Sequence, residues 1–187
     1  MYSALQNIVG MANLSPKVVE LLNNYVTILD MPKNSILIKQ GQHCNHFYII
    51  EKGFARIFSE IDGKEITILF AKEDDIITST YALFTKNTSN ENIELLEDSV
   101  LLKINYEEFI SLCEEHHELL RLYRTLMEKY FLSLEDRTLS LQFDSALDRY
   151  RKLLSEFPFI LQRASLGSVA SFLGMSPVTL SRMRSKI

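Results

Sequence analysis

Thr179, Ser181, Arg182 and Arg184 are of the types, and at the spacing, that grip phosphates and read base edges. A hydroxyl donates to a phosphate oxygen, and an arginine fork bonds a guanine edge through two parallel N–H groups. That chemistry needs the four side chains on one face of a rigid element with a free N-terminus. Ser176 is an N-cap type and Pro177 suits the first helical position, so a helix is expected over residues 176–185 with Leu180 and Met183 facing inward. Upstream, Ser165 caps a shorter helix whose inner face is Leu166, Val169, Ala170 and Leu173. Ala170 is small enough for a second helix to cross closely, and Gly174 stands where the chain must turn through positive φ. The unit reads as a helix-turn-helix, with Ser176, Pro177, Thr179, Ser181, Arg182 and Arg184 as candidate DNA contacts. An ordinary helical hairpin is the alternative, but the small residue, turn glycine, double capping and basic outer face occur here together.

The charge distribution agrees. The chain of 187 residues carries a net charge of −4, unevenly spread. Residues 1–144 hold 13 Lys/Arg and 22 Asp/Glu, whereas residues 145–187 hold seven basic side chains against Asp148 and Glu156. An acidic body with a basic end suits a polyanion met by that end. Hydrophobic residues make up 47%, enough for a real core. Apolar runs such as Phe47-Tyr48-Ile49-Ile50 are far too short to span a bilayer, and the first residues lack a signal-peptide pattern. The expected location is the cytoplasm, which the two isolated cysteines, Cys44 and Cys113, also fit.

Ser15-Pro16 opens a short helix ahead of a β-rich stretch. Strands are expected at Tyr25–Leu29, Ile36–Ile38, Phe47–Ile50, Ala55–Phe58, Ile66–Phe70, Ile76-Ile77, Ile93–Leu96 and Val100–Ile104. Pro32-Lys33-Asn34, Gly41, Gly53 and the hairpin pair Asp62-Gly63 punctuate them, as in a compact barrel, sandwich or roll. A helix follows from Glu107 to Glu115, then a longer one to about Leu141. In the longer helix Leu120, Tyr123, Met127, Tyr130, Leu134, Arg137 and Leu141 alternate spacings of three and four, a coiled-coil seam with Arg137 as its charged, register-setting member. Leu119, Leu122 and Leu126 form a second stripe beside it. One stripe packs on the β unit and the other faces a partner helix; a helix buried wholly within one chain is the alternative. Asp144 is expected to cap the next helix, with Leu147, Tyr150, Leu153 and Leu154 inward and Phe157-Pro158 at its end.

Other chemistry finds little support. His43, Cys44 and His46 lie close together without a recognised metal-ligand spacing, so no metal or cofactor is expected. Ser, His and Asp residues are scattered, the glycines number six and no phosphate-cradling loop appears, so an enzyme is not expected.

The stretch from Leu173 to Arg184, Leu-Gly-Met-Ser-Pro-Val-Thr-Leu-Ser-Arg-Met-Arg, resembles the helix-turn-helix core of the CRP/FNR superfamily of bacterial transcription factors, particularly its divergent short Bacteroidetes-like members. Asp148-Arg149-Tyr150-Arg151-Lys152-Leu153-Leu154, the Gly41 and Gly53 turns and Ile93-Glu94-Leu95-Leu96-Glu97-Asp98 are similar too, so the resemblance covers nearly the whole chain. It implies an α+β protein with three parts. These are an N-terminal double-stranded β-helix, jelly-roll-like sensor domain of the cyclic-nucleotide-binding type (1–115), a dimerisation helix (116–142) and a C-terminal winged-helix-like helix-turn-helix domain (143–187). The implied partners are a second copy of the chain, double-stranded DNA of two-fold symmetry and RNA polymerase, with no membrane.

The departures bear on mechanism. Where cyclic-AMP-binding members carry Gly-Glu and then Arg-Ser, this chain has Thr78-Ser79 and Ser89-Asn90. Thr78, Ser79, Thr80, Ser89 and Asn90 are therefore candidate pocket residues for an unknown small-molecule effector. No arginine lies between Arg56 and Arg121, and a buried phosphate needs a charged partner, so cyclic AMP is not expected to bind. Iron–sulfur members need four cysteine ligands and this chain has two. Pro177 and Val178 replace polar base-reading residues, leaving Arg182 as the clearest retained contact and a different operator expected. The sequence stops at Ile187, so the wing is expected to be short or absent and binding strongly salt-dependent. The other functional class is a small-molecule or protein-interaction module whose truncated helix-turn-helix does not bind DNA.

Overall fold

The computed structural model describes residues 2–185. Helices α1 (Ser3–Gly10) and α2 (Pro16–Asn23) lead into strands β1 (Thr27–Met31), β2 (Ile36–Ile38), β3 (His46–Lys52), β4 (Ala55–Ile61), β5 (Lys64–Ala71) and β6 (Ile76–Ile77). Helix α3 (Thr80–Thr85) separates these from β7 (Asn92–Leu95) and β8 (Ser99–Asn105). The strands form two four-stranded antiparallel sheets, ordered β1-β8-β3-β6 and β2-β7-β4-β5. The fold class is the expected α+β, and all eight expected strands are present with some ends displaced. Asp62 and Gly63 both take positive φ and join β4 to β5 in a tight hairpin, as their types require.

The apolar run Phe47-Tyr48-Ile49-Ile50 has a direct cause. Phe47 and Ile49 face the cluster made with α1, α2 and the following helices, while Tyr48 and Ile50 face the space between the sheets. Strand β3 is thus buried on both faces and loses the apolar–polar alternation of a half-solvated strand. Helix α1 was not expected. It buries Ala4, Leu5, Ile8 and Val9, and its N-terminal amides are capped by Glu51, whose carboxylate accepts from Ser3 N at 3.0 Å and Ala4 N at 2.8 Å.

The C-terminal part is helical: α4 (Tyr106–Glu115), α5 (His117–Phe143), α6 (Ala146–Glu156), α7 (Ile160–Arg163), α8 (Leu166–Phe172) and α9 (Pro177–Arg184). Asn105 caps α4, accepting from Glu108 N at 3.1 Å. Helix α5 has 27 residues, about 40 Å at 1.5 Å per residue. Its first turns bury Leu119 and Leu122 against the roll, and the rest runs past it. The cap of α6 differs from expectation: Ser145, not Asp144, accepts from Asp148 N at 3.2 Å. The Asp144 carboxylate is taken up by the Ser140 hydroxyl at 2.6 Å and Lys152 at 2.9 Å.

Roll and helical module share one core. Phe54 and Phe70 from the roll pack with Tyr150, Leu153, Phe157 and Ile160 and with Val169, Ala170, Leu173 and Leu180. Strand β5, at the outside of its sheet, is covered by α8: Ser171 Oγ accepts from Thr67 N at 3.0 Å and donates to Glu65 O at 3.3 Å.

Candidate functional site

The two helices of the C-terminal motif are built as their caps require. Ser165 Oγ accepts from Ser168 N at 3.0 Å to start α8, and Ser176 Oγ accepts from Thr179 N at 3.1 Å to start α9. Between them Gly174 takes φ +64°, with Met175 N donating to Ala170 O and Gly174 N to Ser171 O, both at 3.0 Å. This pair of bonds is a Schellman turn, which closes α8 and redirects the chain within two residues. Val169, Ala170 and Leu180 are fully buried where the helices cross.

On α9 the structure leaves Pro177, Val178, Ser181, Arg182 and Arg184 exposed on the outer surface with Ser176. Thr179 is half-buried, its hydroxyl 2.9 Å from Ser176 Oγ, so these two hydroxyls serve the cap. The basic end resolves into two kinds of cation. Arg149 is spent on the carbonyls of Leu173 and Asp144, and Arg163 on Glu73 and Glu97. Lys152 pairs with Asp144 and Asp136, and Arg151 with Asp148. Among the described residues of this module, Arg182 and Arg184 alone have no carboxylate or carbonyl partner. Among the described residues, the module's uncompensated positive charge therefore sits on the outer face of α9. The expected short or absent wing lies outside the described residues.

The five candidate pocket residues divide. Ser79 and Ser89 are buried and meet, Oγ to Oγ, at 2.9 Å, and Ser89 donates to the Glu91 carbonyl at 2.6 Å. Thr78 turns to the His46 carbonyl at 2.9 Å, Thr80 donates to the Tyr130 hydroxyl of α5 at 3.2 Å, and Asn90 is exposed. The sequence reading missed Glu91, whose carboxyl is placed against Ser79. Burial raises its pKa above the ordinary carboxylate value, partly offset by the bond from Ser79. An acid thus stands beside the serine pair. Between the sheets, Ile50, Ile57, Ile77, Leu83, Ile93 and Leu101 fill the roll.

On α5, Leu120, Tyr130, Leu134 and Leu141 of the expected seam are exposed, and Tyr123, Met127 and Arg137 are half-buried. Tyr123 turns to its own chain, its hydroxyl 3.1 Å from that of Tyr106. Arg137 does too, lying 4.0 Å over the Phe172 ring and donating to the Phe172 carbonyl at 3.0 Å. The seam instead gains Phe131, which is 67% exposed and lies four residues after Met127 and three before Leu134. Phe143, at 78%, and Leu132 extend the exposed apolar surface to a second face.

Both cysteines are buried, and burial pushes the Cys113 thiol up to about 11, far from thiolate chemistry at neutral pH. No cluster of three or more His, Cys, Asp or Glu side chains able to hold a metal occurs among the described residues. No helix among them is long and apolar enough to cross a membrane.

Residues 28–116 match the family described as cyclic nucleotide-binding domain. The fold is similar to FixK2 from Bradyrhizobium japonicum, at TM-score 0.75 and 16% identity, covering 86% of this chain and 83% of that one. It is also similar to CLP of Xanthomonas campestris, a c-di-GMP-responsive global regulator, at TM-score 0.72 and 16% identity, covering 92% and 91%. A third similar structure is the catabolite activator protein of Thermus thermophilus, at TM-score 0.60 and 19% identity, covering 98% and 86%. No curated protein matches the chain in sequence.

Proposed function

We propose that this chain, which carries a cyclic nucleotide-binding domain and has the fold of the CRP/FNR regulators, is a cytoplasmic DNA-binding transcription regulator rather than an enzyme. In this reading residues 1–115 are the sensor, 116–142 the dimerisation helix and 143–187 the DNA-binding domain. The observation that carries it is the pair Arg182 and Arg184, exposed on the outward face of the second helix of a capped helix-turn-helix and without an acidic partner among the described residues. Ser176, Pro177, Thr179 and Ser181 complete the reading surface at the helix N-terminus, which favours phosphate.

Dimerisation follows from α5. Leu120, Phe131, Leu134 and Leu141 expose an apolar strip along one side of a helix that runs past the roll, and a second copy of α5 is its natural cover. Two reading helices then face a two-fold symmetric operator. RNA polymerase is the further partner of such a complex.

The effector site is degenerate. Glu91 beside Ser79 and Ser89 repels an anion, and no arginine of this region compensates. Cyclic AMP therefore does not bind usefully, and the same argument covers other phosphate diesters at this position, whatever the c-di-GMP response of CLP rests on. An effector of different chemistry has a path to the dimer through the Thr80–Tyr130 bond, which ties α3 to α5. Such a ligand works only by preferring one arrangement of the reading helices.

The test is to incubate the purified chain with fragmented genomic DNA at low salt and sequence what is retained. Enrichment of a two-fold symmetric motif supports the proposal. Retention of no motif, with no retention on heparin either, turns it over in favour of an interaction module that does not bind DNA. Calorimetry showing micromolar binding of cyclic AMP refutes the pocket assignment.

A further inference from the structure

A dimer that reads two half-sites must hold its two α9 helices at a fixed separation, near 34–36 Å for sites one turn apart. In this chain the connection from α5 to α9 passes through the extended joint at Asp144-Ser145, braced on one side by Arg149 and Lys152. Helix α9 packs on α8 and α6, so what holds α8 to the roll bears on the orientation of α9. We infer that Arg163, assisted by Arg56, is a positioning residue that locks the reading module onto its own roll and thereby sets the half-site spacing the dimer accepts. This rests on the dimeric DNA-reading function proposed above.

Arg163 ends α7, two residues before the α8 cap, and reaches back across the boundary to two carboxylates of the roll. Its Nη1 and Nη2 bond Glu73 at 3.1 and 2.8 Å, and its Nε and Nη2 bond Glu97 at 2.9 and 2.7 Å. The guanidinium lies 4.5 Å over the ring of Phe54, a residue of the shared core. The receiving side is itself fixed: Glu73 accepts from Gly53 N at 3.1 Å, and Gly53 takes φ +114° with Ser99 so close that no side chain fits. The bonds hold the Glu73 carboxyl below the ordinary carboxylate range.

Two further anchors lie along the same face of α8. Arg56, buried in β4 and paired with Glu94 and Glu65, donates to Ser168 Oγ at 3.0 Å, and one turn on Thr67 N donates to Ser171 Oγ. At the far end of α8, Arg137 of α5 holds Phe172. Of these anchors Arg163 is the one whose ion pairs cross from the module to the roll. Without it Glu73 and Glu97 converge as two uncompensated anions, and a lysine cannot satisfy both with a fork.

The experiment uses the full chain and synthetic DNA with two copies of its half-site, the spacer varied one base pair at a time. The wild-type protein is expected to prefer one spacing by roughly tenfold over its neighbours, since each added base pair rotates and shifts a half-site. Arg163→Gln is expected to lose roughly tenfold at the preferred spacing and to bind neighbouring spacings equally, with affinity for an isolated half-site unchanged. Arg163→Lys should behave like Arg163→Gln. The Glu73→Gln, Glu97→Gln double variant, which leaves the module untouched, should flatten the preference too and serves if Arg163→Gln does not fold. Retention of the wild-type spacing preference in both variants overturns the inference. Tighter binding by Arg163→Gln at every spacing also overturns it, because the contact would then be a brake on binding. A wild-type protein that enriches no two-fold motif fails the functional proposal itself, before Arg163 is altered.

Discussion

Phe54 offers a direct test of whether roll and module fold as one body. It is 1% exposed, stacks on Phe70 at 5.6 Å, meets Phe157 edge-on at 5.9 Å and lies beneath Arg163. Truncating a buried phenylalanine to alanine costs about 3–5 kcal/mol. Phe54→Leu keeps most of the volume and loses mainly the aromatic contacts, each worth about 0.5–1.5 kcal/mol. Against a total stability of about 5–15 kcal/mol, Phe54→Ala removes a large share. Urea unfolding should show one cooperative transition for the wild-type protein and an earlier one for each variant, alanine more than leucine. Amide exchange should place the loss asymmetrically, with α6–α9 losing protection while β3 and β8 keep theirs, because those strands are also held by the cluster under α1 and α5. A shift below about 1 kcal/mol for Phe54→Ala, or protection lost uniformly, would refute the shared-core account.

Other outcomes follow from the same geometry. Arg182→Ala should weaken specific DNA binding by about 1–3 kcal/mol, measured by fluorescence anisotropy; unchanged operator affinity would remove Arg182 from the interface. Leu134→Glu, with Phe131→Glu as a second variant, should shift the protein to monomers in sedimentation, and persisting dimers would place the interface elsewhere. Glu91→Gln should raise the melting temperature at pH 7 by a few degrees, roughly 2–4 °C per kcal/mol for a chain of this size. The sign follows from burial: the folded carboxyl titrates above its ordinary value near 4.5, so its ionisation opposes folding. That penalty is absent below the unfolded pKa, grows as the pH rises toward the folded value and is complete above it. The advantage of glutamine should accordingly vanish below about pH 4, and a variant less stable than wild type at pH 7 would show that the charge is accommodated.

What could be read from the sequence divides by the range of the interactions. The strands were legible because their apolar residues repeat locally, and the helix-turn-helix because Ser165, Gly174 and Ser176 each act within three residues of themselves. Helix α1 carries the local spacing of Ala4, Leu5, Ile8 and Val9 but no cap of its own, its N-terminus being capped by Glu51, more than forty residues away. Arg137 kept the seam's spacing, yet Phe172 drew it to its own chain, a contact no periodicity reveals. Phe131 fits the same spacing as Tyr130, four residues after Met127 rather than three, so periodicity alone does not choose between them. Asp144 and Ser145 are both good cap types in adjacent positions, and competition from Ser140 and Lys152 decided between them. Arg163 and Glu91 carry no local signal: Glu91 is one charge in a short polar run and Arg163 a lone cation after Ile160-Leu161-Gln162, and the role of each appears only with its partners in place.

The cover that α8 lays over β5 matters for more than the position of α9. An outer strand with free amides and carbonyls is a template for another strand, and exposed aromatic residues beside it strengthen the invitation. While the chain is being synthesised, β5 and Phe70 emerge about a hundred residues ahead of Ser171, and through that interval the edge stands open. A fragment ending after α5 would keep it open permanently and should assemble edge to edge into insoluble material. The C-terminal helices are thus expected to act as a solubility guard for the roll, and a soluble form of the roll alone should need α8 retained or β5 interrupted with a proline or an added charge.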